Sequence, residues 1–191
     1  MKKTHLRWIT GLLLIVGFIG YACQDQALDT VTVENDPSAN VLNSEGDNFS
    51  AAKDNQRNFK THLKGENEVP SVATNAQGQA TFKLSQDGES IHYKLIVANI
   101  ENVRMAHIHN APAGENGGVV VWLYPSSPPP QLIEGRFQGV LAEGTITADD
   151  LVGSLAGQSL EDLLDLMKAG NTYVNVHTTQ NPGGEVRGQI N

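Results

Sequence analysis

The residues best suited to chemistry in this chain are three histidines. His107 and His109 are separated by one residue, and His177 lies in a later segment of similar pattern. In an extended strand, residues two apart project from the same face, so the first two imidazoles are expected side by side. A neighbouring strand that carries His177 would complete a cluster of three.

Such a cluster suits a metal ion. Imidazole is the commonest protein ligand for zinc and copper, and three of them can hold one tetrahedral ion with an open or water-filled position. The spacing therefore predicts a mononuclear copper or zinc site, with redox activity as an option for copper. Glu185 is a further predicted ligand or a hydrogen-bond acceptor for an imidazole, and Asn175 is predicted to support the same site.

The same histidines also permit a structural interpretation. Buried imidazoles can be satisfied by hydrogen bonds across a sheet, with Asn175 and Thr178 as the expected partners. His92 falls on the solvent face of its strand and is not a predicted ligand. Separately, Glu68 is the predicted ion-pair partner of Arg187, in a clip between the two ends of the domain.

No catalytic residue is predicted. The sequence has no Gly-x-Ser-x-Gly elbow, because the serine within 153–157 is misplaced. It also has no phosphate-binding glycine loop followed by Lys and Ser or Thr. The sequence therefore favours a binding or structural module over an enzyme.

Residues 1–22 have the pattern of an export signal. An apolar run over 8–19, interrupted only by Thr10, is shorter than the roughly 20 residues of a membrane-spanning helix. It follows a positively charged start formed by Lys2, Lys3 and Arg7. The mature protein is therefore expected outside the cytoplasm.

Cys23 is the only cysteine in the chain and follows the signal directly. The run Gly20-Tyr21-Ala22-Cys23 resembles a bacterial lipobox, although Gly20 replaces the usual branched aliphatic residue. The resemblance implies a lipidated Cys23 that anchors the protein to the outer membrane, facing the periplasm or the cell surface. The alternative is a secreted protein with a free thiol. In either case a single cysteine cannot form a disulfide within the domain.

Residues 23–58 are predicted to form a flexible, acidic linker. The segment is polar, and no base occurs in it before Lys53. It cannot bury enough apolar surface to offset the entropy lost on ordering.

Without the signal, the chain has 10 Lys and Arg and 21 Asp and Glu, which give a net charge near −11. This charge excludes nucleic acid as a partner.

From residue 59 onward, short alternating segments separated by Gly, Pro and Asn predict strands. The clearest are 80–84 and 91–97, which form a predicted hairpin. We predict an all-β domain: a single Greek-key-like β-sandwich or barrel of seven or eight strands. One helical insert is predicted at about 147–169, with capping sequences that begin at Thr147 and Ser159.

Several of these segments resemble the CHRD (chordin-type) domain. In chain order they are FKTHLKGENEVP at 59–70, AHIH at 106–109, PAG at 112–114, GTIT at 144–147, YVNVHT at 173–178 and GEVRG at 184–188. Ser71 and Asn110 stand where the family often has proline and glycine. The resemblance implies an extracytoplasmic β-rich domain over 59–191 that acts as a binding or structural module. It assigns no catalytic role.

The ligand of such a module is not named by the sequence. An unknown protein or glycan is one expected partner, bound through the loop after His109 and an exposed Trp122 or Tyr124. The membrane, reached through the lipid anchor, is the other. The metal-binding interpretation is the alternative function.

Overall fold

The structure, a computed structural model, describes residues 56–191. The predicted export signal, the lipidation site Cys23 and all but the last three residues of the predicted linker lie outside the described residues. Within residues 56–191, no helix is long and apolar enough to cross a membrane.

Seven strands form the domain, which confirms the all-β prediction. Their bounds are β1 (Asn58–Lys64), β2 (Gln77–Leu84), β3 (Ile91–Asn110), β4 (Gly118–Tyr124), β5 (Ile133–Ile146), β6 (Thr172–Thr178) and β7 (Val186–Gln189). A single α-helix in the described region, α1 (Leu160–Lys168), precedes β6. Short 3-10 turns occur at Gly65–Asn67, Ala148–Asp150 and Gly153–Leu155.

Five of the strands close into a barrel. Antiparallel pairing runs from β1 to β2, β3, β6 and β7, and returns from β7 to β1 through the single pair Lys64 and Arg187. β4 and β5 pair with β3 outside this ring. Of the two predicted architectures, the structure is therefore a barrel, in which closure removes most strand edges.

β3 is one continuous strand of 20 residues. It extends the predicted strand 91–97 through to the histidine pair His107 and His109, which the sequence did not predict to lie on the same strand. Asn99 and Asn102 adopt left-handed backbone conformations with φ of 55° and 54°. Asn tolerates this region better than most residues, so the chain bulges there without leaving the sheet. The first half of β3 pairs with β2 and β5, and the second half with β4 and β6.

The barrel interior is filled by the period-two apolar residues. β1 alternates between exposed and buried positions, and its buried Phe59 and Leu63 meet Phe82 of β2 and Leu95 of β3 in one core. β6 is buried along its whole length. One of its faces contributes core valines, so the other face must be covered by something outside the barrel.

The helical insert is shorter than predicted. Thr147 and Ser159 each form the expected capping box, but only Leu160–Lys168 is α-helical. Gly153 and Gly157 have φ of 59° and 74°, a conformation that interrupts a helix between the two caps. The apolar face of α1 packs into the core through Leu160, Leu163, Leu164 and Met167.

Candidate metal centre

The sheet register brings the three histidines to one place. His107 on β3 lies opposite Asn175 on β6, and His109 lies opposite Tyr173. His177 follows Asn175 by two residues on the same strand, opposite Met105. Because residues two apart share a face, all three imidazoles project from the outer side of the barrel wall, away from the core. The predicted juxtaposition is confirmed.

Two loops cover this face. The segment 111–117 joins β3 to β4, and the segment 179–185 joins β6 to β7. His107, His109 and His177 are only 3%, 7% and 5% exposed. The site is therefore a closed pocket of imidazoles between the barrel wall and two loops.

The loops fix the tautomers of two rings. Nδ1 of His109 lies 2.9 Å from the carbonyl oxygen of Gly117, and Nδ1 of His177 lies 3.0 Å from that of Pro182. A carbonyl only accepts hydrogen bonds, so each Nδ1 carries the proton. Nε2 of each ring then carries the lone pair, as when a backbone carbonyl orients a metal-binding histidine. Nε2 of His177 accepts a hydrogen bond of 3.1 Å from Nδ1 of His107, whereas Nε2 of His109 has no partner in the described residues.

The ring nitrogens are close to the spacing that a metal ion requires. Nδ1 of His107 lies 3.1 Å from Nε2 of His177. One ring nitrogen from each of the three histidines lies within 4.8 Å of the others. Zinc–nitrogen bonds of about 2.0–2.1 Å place tetrahedral ligands about 3.3 Å apart. Binding therefore needs a contraction of at most about 1.5 Å.

The electrostatics of the pocket favour neutral imidazoles. Burial lowers the pKa of His107 to about 3 and that of His177 to about 4, and the neighbouring histidines add to the effect. Burial also lowers the pKa of His109, although its hydrogen bond to Gly117 acts in the opposite direction. The rings are thus neutral at neutral pH, each with one protonated nitrogen and one lone pair, which is the form that binds metal ions.

Unpaired polar atoms concentrate at this site. Five buried side-chain nitrogen or oxygen atoms in residues 56–191 have no hydrogen-bond partner. Four of them lie in or beside the histidine pocket: Nε2 of His107, Nε2 of His109, Oδ1 of Asn175 and Oε1 of Glu68. Buried polar groups are normally paired, and exceptions often mark an ion or a water molecule.

Aromatic side chains enclose the imidazoles. The Trp122 ring meets His107 edge to face, with centroids 4.2 Å apart. Tyr173 stacks on His109 with centroids 4.8 Å apart and planes within 6°. Tyr173 was not predicted to belong to the site, although its alternation with Asn175 and His177 places it on the same face of β6. The backbone carbonyls of Gly117 and Pro182 could not be predicted as hydrogen-bond acceptors, because no side-chain type marks such a role.

The predicted ion pair between Glu68 and Arg187 is not formed. It is absent from the three salt bridges among residues 56–191. The Arg187 guanidinium instead donates to the carbonyls of Pro112 and Glu115 and to Oδ1 of Asn116, all in the loop over the histidines.

Glu68 is nevertheless close enough to Arg187 to respond to its charge. Burial raises the pKa of Glu68 to about 7, and the Arg187 charge opposes this rise. A hydrogen bond, and not an ion pair, connects the two ends of the domain: Asn67 Nδ2 donates to the backbone carbonyl of Arg187 at 3.0 Å.

Glu185 does not support the histidines as predicted. Its two carboxylate oxygens accept hydrogen bonds of 2.7 Å from the hydroxyls of Thr74 and Thr178. Thr178 is thereby also excluded as the partner of an imidazole. Asn175, the other predicted supporting residue, does lie in the pocket.

The predicted exposure of Trp122 and Tyr124 is wrong, because both are partly buried. Trp122 is held against His107. Residues 112–116 of the loop after His109 are exposed, although Arg187 binds this loop from within. The large apolar side chains that are exposed in the described region are Ile96, Leu132 and Val140.

Comparison with known proteins agrees with the motifs. A family model of the CHRD domain matches residues 59–190. Chordin of Xenopus laevis is 30% identical over 133 residues, which are 67% of this chain and 12% of chordin. The chain thus corresponds to about an eighth of the length of that relative. No solved structure matches. The family match covers every strand of the barrel and all three histidines, and the chain belongs to the CHRD-domain family.

Proposed function

We propose that this protein is an exported, lipid-anchored binding module in which His107, His109 and His177 hold one zinc or copper ion. A CHRD domain suggests a binding or structural module, and the metal ion would be what this one binds. A copper ion would add the option of redox activity.

The observation that carries the proposal is the pair of hydrogen bonds from Nδ1 of His109 and His177 to backbone carbonyls. These bonds orient both rings with Nε2 turned into the pocket. In metal-binding proteins the same arrangement fixes the tautomer and increases the basicity of the ligand. A third imidazole, His107, already lies within 3.1 Å of one of those Nε2 atoms.

A purely structural cluster accounts for fewer of the observations. Hydrogen bonds within the pocket leave Nε2 of His107 and Nε2 of His109 buried and unpaired. Each such atom costs about 1–3 kcal/mol. A cation in the pocket would satisfy lone pairs that no donor in the described chain reaches.

Calorimetric titration of the metal-free protein with Zn²⁺ and Cu²⁺ at neutral pH tests this function. The wild-type protein should bind one ion, and His109→Ala should weaken binding at least tenfold. His92→Ala is the matched control, since His92 is an exposed histidine of the same strand that bonds to Thr145. Absence of wild-type binding, or equal losses in both variants, would contradict the proposal. Elemental analysis of protein from its native host should find about one zinc or copper per chain.

The membrane anchor is supported by the sequence alone. The single cysteine, Cys23, directly follows a signal-like apolar run, and two or more acyl chains suffice for stable attachment. The wild-type protein should partition into the detergent phase of Triton X-114, with an acylated N-terminal peptide by mass spectrometry. Cys23→Ser should move it to the aqueous phase. An unmodified wild-type cysteine would refute the anchor without affecting the metal site.

A further inference from the structure

We infer that Asn175 supplies the fourth ligand of the metal ion, through its side-chain oxygen Oδ1. The inference rests on the proposed metal-binding function and deepens it. It makes the site a set of three imidazole nitrogens and one carboxamide oxygen, which suits a divalent ion.

Asn175 occupies the position expected for the fourth ligand of a tetrahedral ion held by the three histidines. It lies directly across the sheet from His107 and two residues before His177 on the same face of β6. Its side chain is within hydrogen-bonding reach of the His109 imidazole. Asn175 is only 2% exposed, so bulk water does not satisfy its amide. The pairing of β3 with β6 therefore places the Asn175 side chain next to all three imidazole rings.

One long hydrogen bond orients the amide of Asn175. Nδ2 of Asn175 points to the turn between β6 and β7, where the carbonyl oxygen of Gly183 lies at 3.5 Å. Gly184 makes room for it, since a Cβ atom there would lie 2.8 Å from Nδ2. Oδ1, at the other end of the amide, has no partner.

Two hydrogen-bond acceptors therefore meet in the pocket. Nδ1 of His109 carries the proton that it donates to Gly117, so the ring nitrogen left for Asn175 is Nε2, which has only a lone pair. Neither that Nε2 nor Oδ1 of Asn175 has a donor. Rotating the amide by 180° would let Nδ2 donate to Nε2 of His109, but it would give up the 3.5 Å hydrogen bond to the Gly183 carbonyl and leave Oδ1 facing that carbonyl without a donor. A cation between the two acceptors resolves the conflict.

The chemistry of this ligand set discriminates between ions. A carboxamide oxygen is a hard, neutral ligand, whereas copper(I) prefers soft thiolate or thioether ligands. Zinc and copper(II) accept imidazole together with oxygen. Removal of the oxygen should therefore weaken the binding of divalent ions far more than that of copper(I).

The test compares Asn175→Ala and Asn175→Asp with wild type in the full-length protein in detergent. The matched control is Asn171→Ala, a partly exposed residue just before β6. Zn²⁺ affinity is measured by calorimetry, Cu⁺ affinity by chelator competition, and coordination by the visible spectrum of the Co²⁺ form. Thermal unfolding shows whether each variant is folded.

Asn175→Ala should weaken Zn²⁺ binding at least tenfold, alter the Co²⁺ spectrum and change Cu⁺ affinity less than threefold. Asn175→Asp, which keeps the shape and adds a negative charge, should tighten Zn²⁺ binding at least tenfold and also alter the spectrum. Asn171→Ala should match wild type. If wild type binds zinc and both Asn175 variants keep its affinity and spectrum, Asn175 is not a ligand and the three-histidine function stands. If wild type binds no metal, both proposals fail.

Discussion

The guanidinium carbon of Arg187 lies 3.4 Å from the centre of the Tyr173 ring, and Tyr173 stacks on His109. Arg187 is 1% exposed, yet its positive charge is matched by carbonyl oxygens and a tyrosine ring and not by a salt bridge. Through these contacts β7 holds the loop 111–117, whose Gly117 carbonyl orients His109. Arg187 therefore positions the site without touching the proposed ion.

Replacement of Arg187 should loosen that loop. Arg187→Lys keeps the charge but cannot form the planar fork of hydrogen bonds to Pro112, Glu115 and Asn116. We expect the free energy of unfolding to fall by about 2–4 kcal/mol, measured by urea denaturation. Arg136→Lys is the control, because Arg136 is exposed, and it should change stability by less than about 0.5 kcal/mol. Equal effects of the two substitutions would argue against a clamp.

The turn between β6 and β7 offers a matched pair of glycines. Gly184 has a φ of 132°, and a Cβ there would clash with the side chains of Asn175 and Glu68, whereas Gly183 has open space and an ordinary φ. Gly184→Ala should cost about 1–3 kcal/mol from backbone strain alone, and it should also weaken Zn²⁺ binding by displacing Asn175. Gly183→Ala should leave thermal unfolding and zinc affinity unchanged within about 0.5 kcal/mol. A tolerated alanine at 184 would be inconsistent with the packing described.

The buried carboxyl of Glu68 predicts a pH dependence of stability. Burial raises its pKa from 4.5 to about 7 in the folded protein. Between these values the folded state holds a proton that the unfolded state has lost, so its stability contribution is complete below about pH 4.5 and is lost as the pH rises through 7.

Glu68→Gln mimics the protonated form and removes this loss. Relative to wild type, the variant should gain up to about 3 kcal/mol between pH 4 and pH 8, as measured by denaturant unfolding at each pH. Glu66→Gln, at an exposed position, should show no such trend. A difference between Glu68→Gln and wild type that stays constant with pH would refute the raised pKa.

A bound ion should stabilise the folded domain. If only the folded state binds zinc, a free concentration 100 times the dissociation constant adds about 2.7 kcal/mol to the free energy of unfolding. Thermal unfolding with and without Zn²⁺ measures this shift, and a chelator should reverse it. At the same zinc concentration the shift should shrink by at least about 1.3 kcal/mol in His109→Ala and persist in His92→Ala.

Much of the fold could be predicted from the sequence, because the local residue patterns favour the same secondary structure that the folded domain adopts. The alternation of Ile91, Leu95 and Val97 with polar residues gave the hairpin, and residues at fixed spacing gave the caps at Thr147 and Ser159. The convergence of the three histidines followed from the period-two geometry of strands, once a neighbouring strand was assumed.

Other features depend on tertiary contacts that local patterns do not encode. The continuity of β3 rests on two asparagines in left-handed conformations, and Asn is common in turns as well as in bulges. The choice between sandwich and barrel depends on the pairing of β1 with β7. The partners of Arg187 are mainly backbone carbonyls, which the residue types in a sequence do not reveal. A carboxylate such as that of Glu68 was therefore the expected partner.

The two strands that carry the histidines are neighbours in the sheet but remote in the chain, since His107 and His177 are 70 residues apart. An ion bound to both strands would cross-link the chain across this long loop. In the chain-entropy treatment of cross-links, the lower entropy of the unfolded state would add about 4 kcal/mol to the free energy of unfolding. A protein whose one thiol lies at position 23 has no covalent way to make such a staple. Coordination would provide one that reductants leave intact and chelators release.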